Sequence, residues 1–202
     1  MELLPSWRIH LKWAELFGIG RDVAEIANRV VDDPSSVPLI GGSLGEIVGH
    51  DWGRRSKSKR SAMRSIQKSF MRQHYGPEGV WAVELHHLLD HIAYLCDPKR
   101  LAQERLFRRV SQLTSGMSLQ DRTRIMKEVL KGIKIKADVS DIPDKDYITN
   151  RLLKEASKLE VSNEVWEFVN THLDQILADI KRYTSASLTE NGSQKIKRMG
   201  KN

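Results

Sequence analysis

Residues 78–97 read Glu78-Gly79-Val80-Trp81-Ala82-Val83-Glu84-Leu85-His86-His87-Leu88-Leu89-Asp90-His91-Ile92-Ala93-Tyr94-Leu95-Cys96-Asp97. At about 100° per residue, Leu85, Leu88, Leu89, Ile92, Leu95 and Cys96 gather on one side of a helix. Asp90 and Asp97 fall within about 40° of His86, and Tyr94, His87 and His91 follow at about 80° to 140°. One face is therefore aliphatic, and the other carries three histidines, two aspartates and a tyrosine. A solvated face is usually built from lysine and glutamate, and neither occurs between His86 and Asp97. The stretch predicts a helix packed into a core on one side and a cluster of chemically active side chains on the other. Pro98 closes it.

The same 3.6-residue period runs outward in both directions, and no alternating strand pattern interrupts it. Toward the N-terminus it predicts a helix over 3–17, with Trp7, Leu11, Trp13, Ala14 and Phe17 on the apolar face, ended by Gly18 and Gly20. A second helix over 21–32 buries Val23, Ile26, Ala27, Val30 and Val31, and Asp33-Pro34-Ser35-Ser36 breaks the pattern. A third begins near Ser43, where Glu46 three residues later suits a capping box. A basic helix over 56–74 is stopped by Gly76-Pro77. Toward the C-terminus, helices follow over 99–113 and 118–133, the latter with Ser118 as N-cap and Asp121 in its first turn. The polar residues 136–146 read as a linker or long loop. Helices over 147–159 and 162–183 come next, and the apolar-poor, basic residues 185–202 read as a disordered tail. The expected fold is all-α.

The chain has 202 residues, 40% of them hydrophobic and 29% charged, which is the balance of a globular protein with a core. No apolar run reaches the ~20 residues of a membrane span, and the N-terminal residues lack the pattern of a signal peptide. A cytoplasmic protein is expected. The lone cysteine, Cys96, excludes an internal disulfide and a cysteine-based zinc site, and reads as a small core residue. The net charge of +7 favours phosphate-bearing ligands, nucleotide or nucleic acid. Eight Lys or Arg and no acid lie between Arg54 and Arg72. Arg60, Arg64, Lys68 and Arg72 repeat every four residues as a basic stripe, with Met63, Ile66 and Phe70 opposite. A stripe of one sign fits anion binding better than a mixed solvated face.

Two further features carry chemistry. His50-Asp51-Trp52-Gly53-Arg54 places an imidazole and a carboxylate side by side, two good ligands for a divalent ion. His10 lies between Trp7 and Trp13 on the first helix.

The order His10, His50-Asp51, a histidine pair, then a carboxylate resembles the HD superfamily of metal-dependent phosphohydrolases. The string His50-Asp51-Trp52-Gly53-Arg54 resembles that family's His-Asp-x-Gly-Lys/Arg. The stretch from Leu89 to Asp97 resembles the apolar helix that ends in its last aspartate. The likeness covers about residues 7–100. It implies an HD-like helical bundle, and with the additional C-terminal helices read above the organisation is a domain over 1–135, the linker over 136–146, a helical extension over 147–184 and the tail over 185–202. It implies hydrolysis of a nucleotide or nucleic-acid phosphoester with a divalent ion, Mn, Ni, Co, Zn or Mg. His10, His50, Asp51 and Asp97 would hold one ion, with Asp90 a second candidate for the last place. His86 and His87, with His74, would hold a second ion or the scissile phosphate. Catalytic roles fall to Asp51, Arg54 and His87, and phosphate contacts to Arg54, Arg55, Arg60 and Arg64. The alternative is a non-catalytic basic helical module that binds nucleic acid or a protein, using the stripe, Arg105, Arg108, Arg109 and the tail. The last hundred residues either cover the core or form a homodimer interface.

Overall fold

The computed structural model describes residues 7–37, 57–132 and 142–199. Among them are seven helices, one 3-10 turn and no strand: α1 Trp7–Phe17, α2 Arg21–Asp32, the turn Pro34–Ser36, α3 Lys57–Cys96, α4 Pro98–Leu113, α5 Leu119–Gly132, α6 Lys145–Leu159 and α7 Asn163–Met199. The all-α expectation is met, and no helix among the described residues is long and apolar enough to cross a membrane.

α3 organises the rest. It is two helices joined at a break, where Gly76 takes φ 63° and ψ −151° and Pro77 opens the second half. That backbone region is essentially closed to residues with a Cβ, and proline suits a first helical position. Gly79 lies tight against the first half, since a Cβ there would sit 2.6 Å from the Met71 carbonyl oxygen and 2.8 Å from the Tyr75 Cβ. The contact is with backbone, so no side-chain rotation relieves it. Gly79→Ala is expected to lower stability by about 1–3 kcal/mol, read as the midpoint of urea unfolding. An unchanged midpoint would show that the break opens at no cost.

The aliphatic face of residues 80–96 is the centre of the core. Val83, Leu85, Leu88, Leu89, Ile92 and Cys96 are buried there. α1 and α2 pack on one side, with Trp13, Ala14, Ala27, Val30 and Val31 buried. α6 and α7 pack on the other, through Ile148, Leu152, Val165, Val169, Leu173 and Ile176. The helices after residue 145 therefore share one core with the first half. α4 and α5 pair with each other, and α4 leaves from the end of α3.

Helix ends follow the local chemistry. The Ser118 hydroxyl accepts from the Asp121 backbone N–H at 3.1 Å, as its N-cap role requires. Asp144 accepts from the Tyr147 backbone N–H at 2.8 Å and starts α6. α7 continues to Met199, through the stretch expected to be a disordered tail. Extending an existing helix adds a hydrogen bond per residue without a new nucleation cost, and Gln194, Lys195, Lys197 and Arg198 are good helix formers. Of the expected linker over 136–146, residues 136–141 lie outside the described residues, and Lys145 and Asp146 already belong to α6. Cys96 is a core residue as read: burial pushes its thiol up to about 12.

Candidate metal centre

α1, α2 and the second half of α3 bring four side chains to one point. His10 comes from the middle of α1, Asp32 from the last residue of α2, and His86 and Asp90 from one face of α3, a turn apart. His10, His86 and Asp90 are buried, and each offers a ligand atom within 4.8 Å of the others. His10 Nε2 lies 3.3 Å from Asp90 Oδ1, and His86 Nε2 lies 3.3 Å from Asp90 Oδ2. His86 Nε2 is also 3.4 Å from Asp32 Oδ1. The two imidazoles stack, with centroids 4.0 Å apart and planes 12° from parallel.

These separations are those of ligands around a shared ion as well as those of ion pairs. A hydrogen-bonded His–Asp pair closes to about 2.7–2.9 Å with the N–H aimed at the oxygen. Here the contacts are longer, and Nε2 of both His10 and His86 is buried without a hydrogen-bond partner among the described residues. Two atoms each about 2.1 Å from one ion at a tetrahedral angle stand about 3.4 Å apart. Buried polar atoms without partners are costly, and a shared cation would satisfy both Nε2 atoms. His10, His86 and Asp90 can thus hold a metal ion.

Surrounding contacts orient the set. His86 Nδ1 lies 2.8 Å from the Asn28 Oδ1. The imidazole N–H donates there, which leaves Nε2 facing the cluster, as neighbours of metal ligands commonly arrange. The Trp7 indole N–H donates to Asp32 Oδ2 at 2.7 Å, and the other oxygen of that carboxylate faces His86.

Charge is balanced within the cluster. Burial alone would lower His86, but Asp90 and Asp32 outweigh it and push the imidazole up to about 10. Burial would raise Asp90, but His86 and His10 hold its carboxyl far below the ordinary range. His10 is lowered by burial and by the charge of His86, against the pull of Asp90. In metal-free protein the depressed Asp90 adds stability that is complete above its unfolded value of 3.8 and lost as pH falls. The raised His86 adds stability that is complete below 6.5 and lost as pH rises through about 10. The lowered His10 stays neutral in the fold, a cost that is absent above 6.5 and grows as pH falls below it. Protein treated with chelator is therefore expected to melt highest at about pH 6.5, with Tm falling on both sides. A Tm that stays flat from pH 6.5 to 10 would contradict this charge assignment.

Of the residues singled out in the sequence, the structure joins His10 and His86, and it is Asp90, not Asp97, that lies with them. The helix ends at Cys96 and Pro98 opens α4, so a helical projection does not extend to Asp97. Its carboxylate instead faces the start of α4, with Oδ1 3.4 Å from the Arg100 backbone N–H. His87 turns to the first half of α3, where its Nε2 is 2.8 Å from Gln67 Oε1. His74 is exposed beside Phe70. His50, Asp51, Arg54 and Arg55 lie outside the described residues, and of Arg60 only the backbone, in α3, is described.

The basic stripe is partly turned inward. Lys68 Nζ is 2.7 Å from Glu84 Oε1 and donates to the carbonyls of Leu159 and Glu160 at 3.0 and 2.8 Å. Arg64 is largely buried, 3.8 Å from Glu155. Arg64, expected to contact substrate phosphate, thus ties α3 to α6. Arg72 is exposed.

Sequence reasoning missed Asp32 and Asn28. They stand four apart on α2, and Asn28 is buried. A polar residue at a core-facing position, in line with an aspartate, was the signal that marked them. No family model, curated protein or solved structure matches the chain.

Proposed function

We propose that the chain is a metal-dependent phosphohydrolase that cleaves a phosphoester of a nucleotide or nucleic acid. The observation that carries this is the convergence of His10, His86 and Asp90, with Asp32, on one buried point where both His Nε2 atoms lack hydrogen-bond partners among the described residues. The donor set, two neutral-capable imidazoles with carboxylates, suits Mn, Fe, Co, Ni or Zn better than a calcium-like all-oxygen site. A divalent ion bound there would lower the pKa of its water and polarise a phosphoryl oxygen. The chain's own part is to hold the ligands dry and oriented: Asn28 sets the His86 ring, and Trp7 steadies Asp32. The resemblance to HD phosphohydrolases adds His50-Asp51 as further ligands and Arg54 as the cation beside the scissile phosphate. Basic residues suit a phosphate-rich substrate.

Protein stripped with chelator is expected to hydrolyse bis(p-nitrophenyl) phosphate only after Mn, Ni, Co, Zn or Mg is restored. In the same assay Asp51→Ala is expected to abolish turnover while far-ultraviolet circular dichroism keeps its helical signal. Hydrolysis indifferent to chelator, or absent with every ion, would end this reading. Asp51→Ala at full activity would remove His50-Asp51 from it.

One observation favours a second reading, a nucleic-acid-binding module without catalysis. Arg108 and Arg109 are exposed on α4 and make no ion pair among the described residues. Salt-dependent binding of an oligonucleotide to metal-free protein with no metal-dependent hydrolysis would support it.

A further inference from the structure

Trp7 does not behave as the core residue its place on α1 suggests. Its apolar neighbours on that helix are covered: Trp13 is buried against Phe168 and His172, and Phe17 packs on Trp81 and Phe168. Trp7 remains 39% exposed, and no aromatic ring of the described residues stacks on it. It is also fixed in place. Its N–H donates to Asp32 Oδ2 at 2.7 Å, while Oδ1 of the same carboxylate faces His86 Nε2 at 3.4 Å. One carboxylate therefore joins an open indole to the metal cluster.

The exposure gradient shows which side of the cluster meets solvent. His10, His86 and Asp90 are buried, the Asp32 side chain is 23% exposed, and Trp7 is the most open of the set. Among the described residues, the side of the cluster that reaches solvent is that of Asp32 and Trp7. A phosphoester reaching the cluster from that side leaves its organic group beside the indole.

We propose that Trp7 is the base-binding residue of this site, and that the substrate is a phosphoester carrying a nucleobase that stacks on the indole face. This rests on the phosphohydrolase reading. Through Asp32 the indole is held beside the most exposed edge of the cluster. The only donor of the indole is engaged by Asp32, so Trp7 recognises the base by its π face and does not discriminate among bases by hydrogen bonding. Stacking of this kind is sequence-tolerant. An aliphatic or sugar-only phosphoester has no planar group to offer the ring.

The test uses the full chain loaded with Mn(II), with AMP and ribose 5-phosphate as probes, measured by isothermal titration calorimetry. Wild type is expected to bind AMP about tenfold or more tightly than ribose 5-phosphate. Trp7→Ala is expected to erase that preference by weakening AMP alone. Trp7→Phe keeps a ring but loses the N–H to Asp32, and is expected to retain most of the preference. Equal weakening of both probes by Trp7→Ala would overturn the proposal and leave Trp7 a support for Asp32. An unchanged AMP affinity in Trp7→Ala would overturn it too. Metal content by mass spectrometry separates the two failures. Mn uptake without a preference for AMP defeats the stacking role alone, whereas no Mn uptake defeats the phosphohydrolase reading beneath it.

Discussion

Asp90→Asn is expected to lose divalent-ion binding and phosphoester hydrolysis together while the helices remain. Asp90 faces both imidazoles, with Oδ1 3.3 Å from His10 Nε2 and Oδ2 3.3 Å from His86 Nε2. The amide keeps the volume but removes the negative charge and replaces one acceptor with a donor, which a cation repels. Loss of a residue that only orients a ligand costs about 10–100-fold in metal affinity. Asn28→Ala should fall in that range, because Asn28 touches His86 Nδ1 and not the cluster centre. Asp90→Asn should exceed it, with at least about a 100-fold loss of Mn(II) affinity. Titration of Mn(II) followed by electron paramagnetic resonance reads both variants. Asp90→Asn that binds Mn(II) as wild type does would remove Asp90 from the ligand set.

The second large effect falls on stability, at Glu84. This carboxylate is buried within α3. Its Oε1 takes Lys68 Nζ at 2.7 Å, and its Oε2 accepts from the Ser162 backbone N–H at 3.0 Å and the Ser162 hydroxyl at 2.7 Å. Lys68 reaches on to the carbonyls of Leu159 and Glu160 at the end of α6. A single acid thus joins both halves of α3 to the turn between α6 and α7, beside the positive end of the α7 dipole. Removing one partner of a buried ion pair costs about 3–5 kcal/mol. Lys68 keeps some contact with solvent, so Glu84→Ala is expected near the lower end, about 3 kcal/mol. Glu84→Gln keeps an acceptor for Ser162 and should lose less. Urea unfolding measures both. A Glu84→Ala cost within about 0.5 kcal/mol, typical of an open surface site, would mean that the network contributes nothing.

Much of the fold is legible because helical period and stop signals are local. α2 begins and ends where Gly20 and Asp33-Pro34 place it, α5 starts after Ser118, and Gly76-Pro77 divides α3. Projection of residues 78–97 also aligned His86 with Asp90, a relation internal to one helix. The same projection misplaced Asp97, because a helix ended one residue earlier by Pro98 no longer sets its direction. Contacts between distant segments are where sequence patterns fall short. Nothing near Lys68 announces Glu84 or the carbonyls of α6, so a one-sign stripe read as a phosphate surface when half of it is internal structure. His10 alone among tryptophans carries little meaning, and its partners stand 76 and 80 positions away. Trp7 and Trp13 lie about 120° apart on α1, and it is Trp13 that packs against α7, on Phe168 and His172.

The central claim is that one divalent ion sits among His10, His86 and Asp90. Crystals grown with saturating Mn(II) and measured at the manganese edge test it most directly. An anomalous peak is expected within ~2.0–2.3 Å of His10 Nε2, His86 Nε2 and an Asp90 oxygen. No peak there, with His10 and His86 instead hydrogen-bonded to ordered water, would contradict it.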